Sequence, residues 1–191
     1  MTKAGQELGK MTIAEFDAYV AHSPEGDAFE LFDGGPLLID DPNETHEQIA
    51  SNIGANLKLA MDERGCHTYQ EGIMVQASDS SSGRDKFRPD VVVRCGALSN
   101  NTFIADPVVI VEVLSPSKRE RDRGRKVQFY KELPTVQHIV LAYEDRILVE
   151  HHRRTENSWE RTMLSTIESV LVLDAVEFRM DLESIYFDVH F

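Results

Sequence analysis

The chain has 191 residues, enough for one core of ordinary size, whereas two domains would each sit near the lower limit for independent folding; a single domain over 1–191 is expected. With 41% apolar and 28% charged residues, the composition is globular and excludes fibrous and disordered classes. A net charge of −13 argues against a polyanionic partner unless the basic residues are concentrated, because such binding gains affinity by neutralising phosphates.

The N-terminal MTKAGQELGK has no apolar leader core, and no segment approaches the roughly 20 apolar residues needed to span a bilayer, so a cytoplasmic protein without a membrane partner is expected. Cys66 and Cys95 lie far apart with no C-x-x-C spacing. They signal neither a zinc site nor a disulfide framework and are expected to be reduced packing residues.

In chain order, Thr12 and Glu15 form a capping-box pattern that opens a short amphipathic helix ending near Ser23-Pro24. AFELF and PLLID flank Asp33-Gly34-Gly35 as a hairpin, because tight turns need positive φ. DDPNET reads as a loop. From His46 to Arg64, Ile49, Ile53, Leu57, Ala60 and Met61 recur at helical spacing, with Gly65 placed to end the helix. HTYQ and GIMVQ suit short strands, and ASDSSSGRDK is a polar loop. RPDVVVRC and DPVVIVEVL are β-branched runs that can neighbour each other in a central sheet.

A helix over about 117–132 follows, with Ser117 and Glu120 as its capping box and Pro134 as its stop. QHIVLAY and RILVEHHR form a second hairpin around Glu144-Asp145. Weaker strands are expected near Trp159–Leu164 and Ser169–Leu173, then a terminal helix or strand from Val176. His151 and His152 end a strand and point to opposite faces, which argues against joint chelation and for an edge-strand surface.

Charge is unevenly spread. Residues 11–57 contain ten Asp or Glu and no Lys or Arg, whereas residues 118–131 carry seven basic and two acidic residues, a local +5 that leaves −18 elsewhere. Such a run is either a solvated helix face or a phosphate-binding one, and Arg119, Arg121, Arg123 and Arg125 are its candidate phosphate contacts.

The run VVIVEVL belongs in a sheet covered on both faces, where an ionised Glu112 needs a paired cation or a metal. Asp90, after Pro89, interrupts the neighbouring run. Singly it reads as a strand-start carboxylate; together the two acids, followed by a basic helix, suit a hard cation with oxygen ligands.

The order Pro89-Asp90, a spacer of 21 residues, Glu112-Val-Leu-Ser-Pro-Ser, then Asp122-x-x-x-Lys126-x-x-x-Tyr130 resembles the Uma-type restriction endonucleases, a branch of the PD-(D/E)xK nuclease superfamily. FELFDGG, with Glu30, and His46 at a helix start are similar to that family's N-terminal half, and the likeness spans roughly 12–153. One position departs: where the superfamily has Lys two residues after the acid, this chain has Leu114. The resemblance moves that role to Lys126, whose helix face includes Asp122 and Tyr130.

What the resemblance implies is an α/β fold, a restriction-endonuclease-like mixed central sheet flanked by helices, and a Mg²⁺-dependent endonuclease acting on DNA, with Mn²⁺ as an alternative ion. Phosphodiester hydrolysis needs an aligned nucleophilic water and positive charge at the transition state. Asp90 and Glu112 would be the principal ligands with the Val113 carbonyl, Glu30 would complete the shell, and Lys126 would orient water or stabilise the phosphoryl group. His46, Asp122 and Tyr130 would support the site or touch substrate, against plainer roles as cap neighbour, ion-pair partner and packing residue. A homodimer suits cleavage of both strands. The competing readings are a non-catalytic nucleic-acid-binding or regulatory module that keeps the fold, and an interaction domain in which Glu112 is merely salt-bridged.

Overall fold

The computed structural model of the chain describes residues 10–70, 72–77, 83–116 and 122–191, without the side chains of residues 122 and 123. Helix α1 (Ile13–Ala21) starts on Thr12 with the expected capping box. The Glu15 carboxylate accepts the Thr12 N–H at 2.8 Å, and Thr12 Oγ1 accepts the Glu15 N–H at 3.3 Å. Strands β1 (Phe29–Phe32) and β2 (Gly35–Leu38) pair as the expected hairpin. Its two-residue turn uses Asp33 (φ 47°) and Gly34 (φ 79°), so an aspartate shares the left-handed conformation with a glycine. Helix α2 (Glu44–Met61) begins before His46 because Asn43 caps it, accepting the His46 N–H at 2.9 Å.

Then come β3 (Cys66–Gln70), β4 (Met74–Val75), β5 (Val91–Cys95), the short β6 (Phe103–Ile104) and β7 (Val109–Leu114). A π-helical turn over Asp122–Lys126 leads into α3 (Val127–Glu132). The expected capping box of Ser117 and Glu120 lies outside the described residues; of the described part of the predicted helix, 122–126 is π-helical and 127–132 α-helical. Strands β8 (His138–Tyr143) and β9 (Val149–Arg154) form the second hairpin, followed by β10 (Trp159–Leu164) and β11 (Val170–Leu173). The tail supplies both elements that were alternatives, strand β12 (Phe178–Asp181) and one helical turn, α4 (Leu182–Ile185).

Six strands make the central sheet in the order β10-β9-β8-β7-β5-β3. The β7–β8 pair is parallel and the other four pairs are antiparallel, so the sheet is mixed and the chain is α/β. A parallel pair requires a crossover, and this one carries α3.

Strand β7 is buried on both faces and sorts its residues by parity. Val109, Val111 and Val113 join Ile49, Ile53 and Leu57 of α2 in one core, while Ile110 and Leu114 join Val127, Phe129 and Tyr130 of α3 in the other. Phe29 and Leu31 of β1 pack with Phe16 of α1 in a smaller cluster, leaving Glu30 between them to face the opposite way.

Two expectations are corrected. Cys66 and Cys95 are not reduced packing residues: they are paired in the β3–β5 register and joined as a disulfide. The 29 residues between them hid an adjacency that only antiparallel pairing creates. His151 and His152 do point to opposite faces, but β9 lies inside the sheet with β10 beyond it, so both are buried and neither forms an edge surface. Among the described residues no helix is long and apolar enough to cross a membrane.

Candidate active site

The site stands where β5 is shorter than β7. Val91 pairs with Val111, and β5 begins there, so the strand residues of β7 beyond that point lose their neighbour on that side. A buried backbone N–H must find an acceptor. Asp90 supplies it: its Oδ2 accepts the Val113 N–H at 2.5 Å, so the carboxylate continues the ladder that β5 leaves off. Asp90, directly before β5, and Glu112 of β7 thereby sit side by side and line one cleft.

Glu112 lies on the α3 face of the sheet, 3% exposed, between Ile110 and Leu114. Among the described residues, Lys126, Glu30 and Tyr130 meet around it. Lys126 Nζ is 3.2 Å from Glu112 Oε2 and 2.8 Å from Glu30 Oε1, and Tyr130 donates its hydroxyl to Glu112 Oε1 at 2.6 Å. Glu30 and Lys126 are themselves 1% and 5% exposed, so the cluster is withdrawn from water. Glu30 Oε1 also accepts the Arg88 N–H at 2.9 Å, which ties the β1 hairpin to the segment preceding Asp90.

Leu114, in the position where an amine was missed, is fully buried in the apolar layer beside Tyr130. The helix delivers the amine instead. Lys126 ends the π-helical turn and Tyr130 follows in α3, so the two reach Glu112 from the same crossover.

His46, in the first turn of α2, reaches the sheet rim from the other side. Its Nε2 is 3.0 Å from Asp90 Oδ1 and its Nδ1 is 3.6 Å from Glu144 Oε2. Burial opposes charge on this ring, but the hydrogen bond and charge of Asp90, with Glu144 and Glu47, outweigh it and raise the pKa above the ordinary histidine value. This is not a solvated cap neighbour. Glu144 adopts a place the sequence did not reveal: it had only the look of a turn residue, yet it also accepts the Asn43 side-chain N–H at 3.3 Å.

The cleft has a volume of about 400 Å³ and holds six carboxylates, those of Glu30, Asp40, Asp41, Glu47, Asp90 and Glu112, against Arg88, Lys126 and His46. Val113 lines it too. Among the described residues, no three His, Cys, Asp or Glu side chains already converge as a metal site. The donor set nevertheless fits a hard divalent cation: it is all oxygen and rich in carboxylates, and Mg²⁺ takes one or two carboxylates while keeping waters of its own.

The basic segment is only partly in view. Arg119 and Arg121 lie outside the described residues, as do the side chains of Asp122 and Arg123. Arg125 is described, and Asp85 holds its guanidinium through contacts of 2.5 and 3.3 Å. Arg88 lines the cleft as well, and its place two residues before Asp90 is the signal the sequence carries for it.

Known proteins share this arrangement of elements. A crystal structure of "a putative nuclease belonging to DUF820" from Anabaena variabilis superposes with a TM-score of 0.74 and 16% identity, covering 92% of this chain and 97% of that one, a likeness of fold. Two uncharacterized proteins of Synechocystis sp. are each 26% identical to this chain, one over 133 residues (68% of both chains) and one over 140 residues (71% of this chain, 77% of the relative). The family Uma2, described as "Putative restriction endonuclease", matches residues 13–183, nearly the whole length and all the cleft residues named above, and this chain belongs to it.

Proposed function

We propose that this chain is a divalent-metal-dependent endonuclease that hydrolyses phosphodiester bonds in DNA. The observation that carries the reading is the buried Lys126 amine placed between Glu30 and Glu112 in a cleft that also contains Asp90. Membership of a restriction-endonuclease family supports a nucleic-acid substrate.

Asp90, Glu112 and the Val113 carbonyl would hold the cation, Mg²⁺ or Mn²⁺, with Glu30 at its margin. Such an ion, when bound, supplies positive charge to the phosphoryl oxygens and acidity to an attacking water. The remaining work falls to the protein. The Val113 N–H and His46 fix the Asp90 carboxylate from two directions, so that it is oriented before any ligand arrives. Tyr130 does the same for Glu112. Lys126, held by Glu30, presents its ammonium beside Glu112, where it can donate a hydrogen bond to the attacking water or to the phosphoryl group. The dry surroundings strengthen each of these contacts.

The test is incubation of the purified protein with single-stranded, duplex and branched DNA in Mg²⁺, Mn²⁺ or EDTA, beside Glu112→Gln and Lys126→Ala. Products that need metal and vanish in both variants are expected. Metal-dependent binding without product on any substrate would replace the nuclease by a binding module.

A further inference from the structure

We propose that Arg88 is the phosphate-binding residue of this cleft, its guanidinium receiving a non-bridging oxygen of the substrate backbone; this rests on the nuclease reading above. Among the described residues, the other cations named at the site are already engaged. Lys126 lies between Glu30 and Glu112, His46 between Asp90 and Glu144, and Arg125 on Asp85. Arg88 differs. Its guanidinium has no hydrogen bond or ion pair among the described residues, and its Nε is shut off from solvent without a partner, although six carboxylates line the same cleft.

Such a state asks for a ligand. Buried polar atoms are nearly always bonded, and a guanidinium cannot lose its charge to escape the cost of partial burial. An anion entering the cleft provides both the acceptor and the counter-charge. Phosphate suits the chemistry, because the planar fork of arginine matches two of its oxygens at once. The abundance of carboxylates adds a second reason: a polyanion approaching so acidic a cleft needs fixed positive charge beside the metal ligands, and Arg88 stands two residues before Asp90.

The residue is also anchored. Its N–H donates to Glu30 Oε1 at 2.9 Å, the oxygen that lies 2.8 Å from Lys126 Nζ. Phe87 before it is fully buried and meets Phe32, Phe129 and Tyr130 edge-on, and Pro89 follows it. With its backbone held, little freedom is lost when the side chain closes on a phosphate.

The experiment measures binding of a short single-stranded DNA and of its duplex over a salt series, in EDTA and in Ca²⁺, for wild type, Arg88→Lys and Arg88→Ala. Cleavage rates and thermal melting accompany it, and the Arg88 Nε–H NMR resonance of the wild type, assigned by its loss in Arg88→Lys, is followed on titration with inorganic pyrophosphate. Arg88→Ala is expected to weaken binding about tenfold and to flatten the slope of log K against log salt by about 0.7 for the single strand or 0.9 for the duplex, as loss of one phosphate contact requires. Arg88→Lys should keep the slope but cleave about tenfold more slowly, since a point charge does not reproduce the fork. The wild-type resonance should shift with pyrophosphate, which holds the proposal to account even if a variant fails to fold.

A normal slope in a folded Arg88→Ala, or a resonance unmoved by pyrophosphate, overturns the assignment. Metal-dependent cleavage with unaltered Arg88→Ala kinetics would remove Arg88 and leave the nuclease. A responsive resonance and a flattened slope with no cleavage in any metal would remove the nuclease and leave the anion site.

Discussion

Tyr130 donates its hydroxyl to Glu112 Oε1 at 2.6 Å, and both residues are shut away from solvent between α3 and β7. A buried carboxylate that loses a donor bears the desolvation cost of the unmet oxygen, whereas the aromatic packing survives in phenylalanine. Tyr130→Phe is therefore expected to lower stability by about 1–3 kcal/mol, with a cleavage rate reduced in parallel as Glu112 loses one of its anchors. Urea unfolding read beside a cleavage assay checks it, and an unchanged midpoint would refute the hydrogen bond's role.

Lys126 is the buried counter-charge of Glu30 and Glu112. Removing one member of such a cluster is worse than removing the charges together, because it strands the others. Lys126→Met should cost about 3–5 kcal/mol and abolish cleavage, while adding Glu30→Gln and Glu112→Gln should restore much of the stability without any activity. Denaturant melts of the single and triple variants decide this, and equal destabilisation in both would show that burial of charge is not the cause.

His46 links α2 to the Asp90 carboxylate at 3.0 Å. Residues that orient a ligand commonly govern metal affinity by about 10–100-fold. His46→Ala should raise the Mg²⁺ concentration for half-maximal cleavage by that order while leaving the saturated rate closer to normal. A Mg²⁺ titration of the cleavage rate tests it; an unchanged half-saturation point would make His46 a packing residue.

His138 and His151 stand on the other face of the sheet, with Nδ1 of the first 3.0 Å from Nε2 of the second. Burial pushes both down to about 4, with the Asp174 carboxylate opposing this at His138 and the neighbouring His138, His152 and Arg153 reinforcing it at His151. In the unfolded chain both titrate near the ordinary 6.5, so below that value the unfolded state binds protons that the folded state refuses. Their contribution is present in full above about pH 6.5 and is lost as the pH falls to about 4, on the order of 3 kcal/mol for each ring. Urea midpoints from about pH 7 to about pH 4 should fall, and less steeply in His138→Gln.

The Cys66–Cys95 disulfide closes a loop of 29 residues' separation and joins β5 to the edge strand β3. In the chain-entropy account a cross-link closing a loop of this size stabilises the fold by about 3.5 kcal/mol. Reduction should lower the melting temperature and leave metal-dependent cleavage intact at low temperature. Mass spectrometry of the alkylated protein gives the redox state beside the melt.

Local chemistry made much of this molecule legible. Thr12 with Glu15, Asp33-Gly34, and the apolar spacing from Ile49 to Met61 each specify an element through contacts between near neighbours, and the structure contains all three. The run VVIVEVL likewise declared a strand buried on both faces and an acid that needed a partner, because the cost of burying charge is visible in sequence alone. The identity of the partners was not. Glu30, Lys126 and Tyr130 reach Glu112 only because a parallel β7–β8 pairing forces a crossover over one face of the sheet while the β1 hairpin folds in beside it. Glu144 at Nδ1 of His46, the Arg88 Nε left without a partner among the described residues and the joining of Cys66 to Cys95 were equally hidden, since each depends on strand register and sheet order, which bring together residues that no local interaction relates.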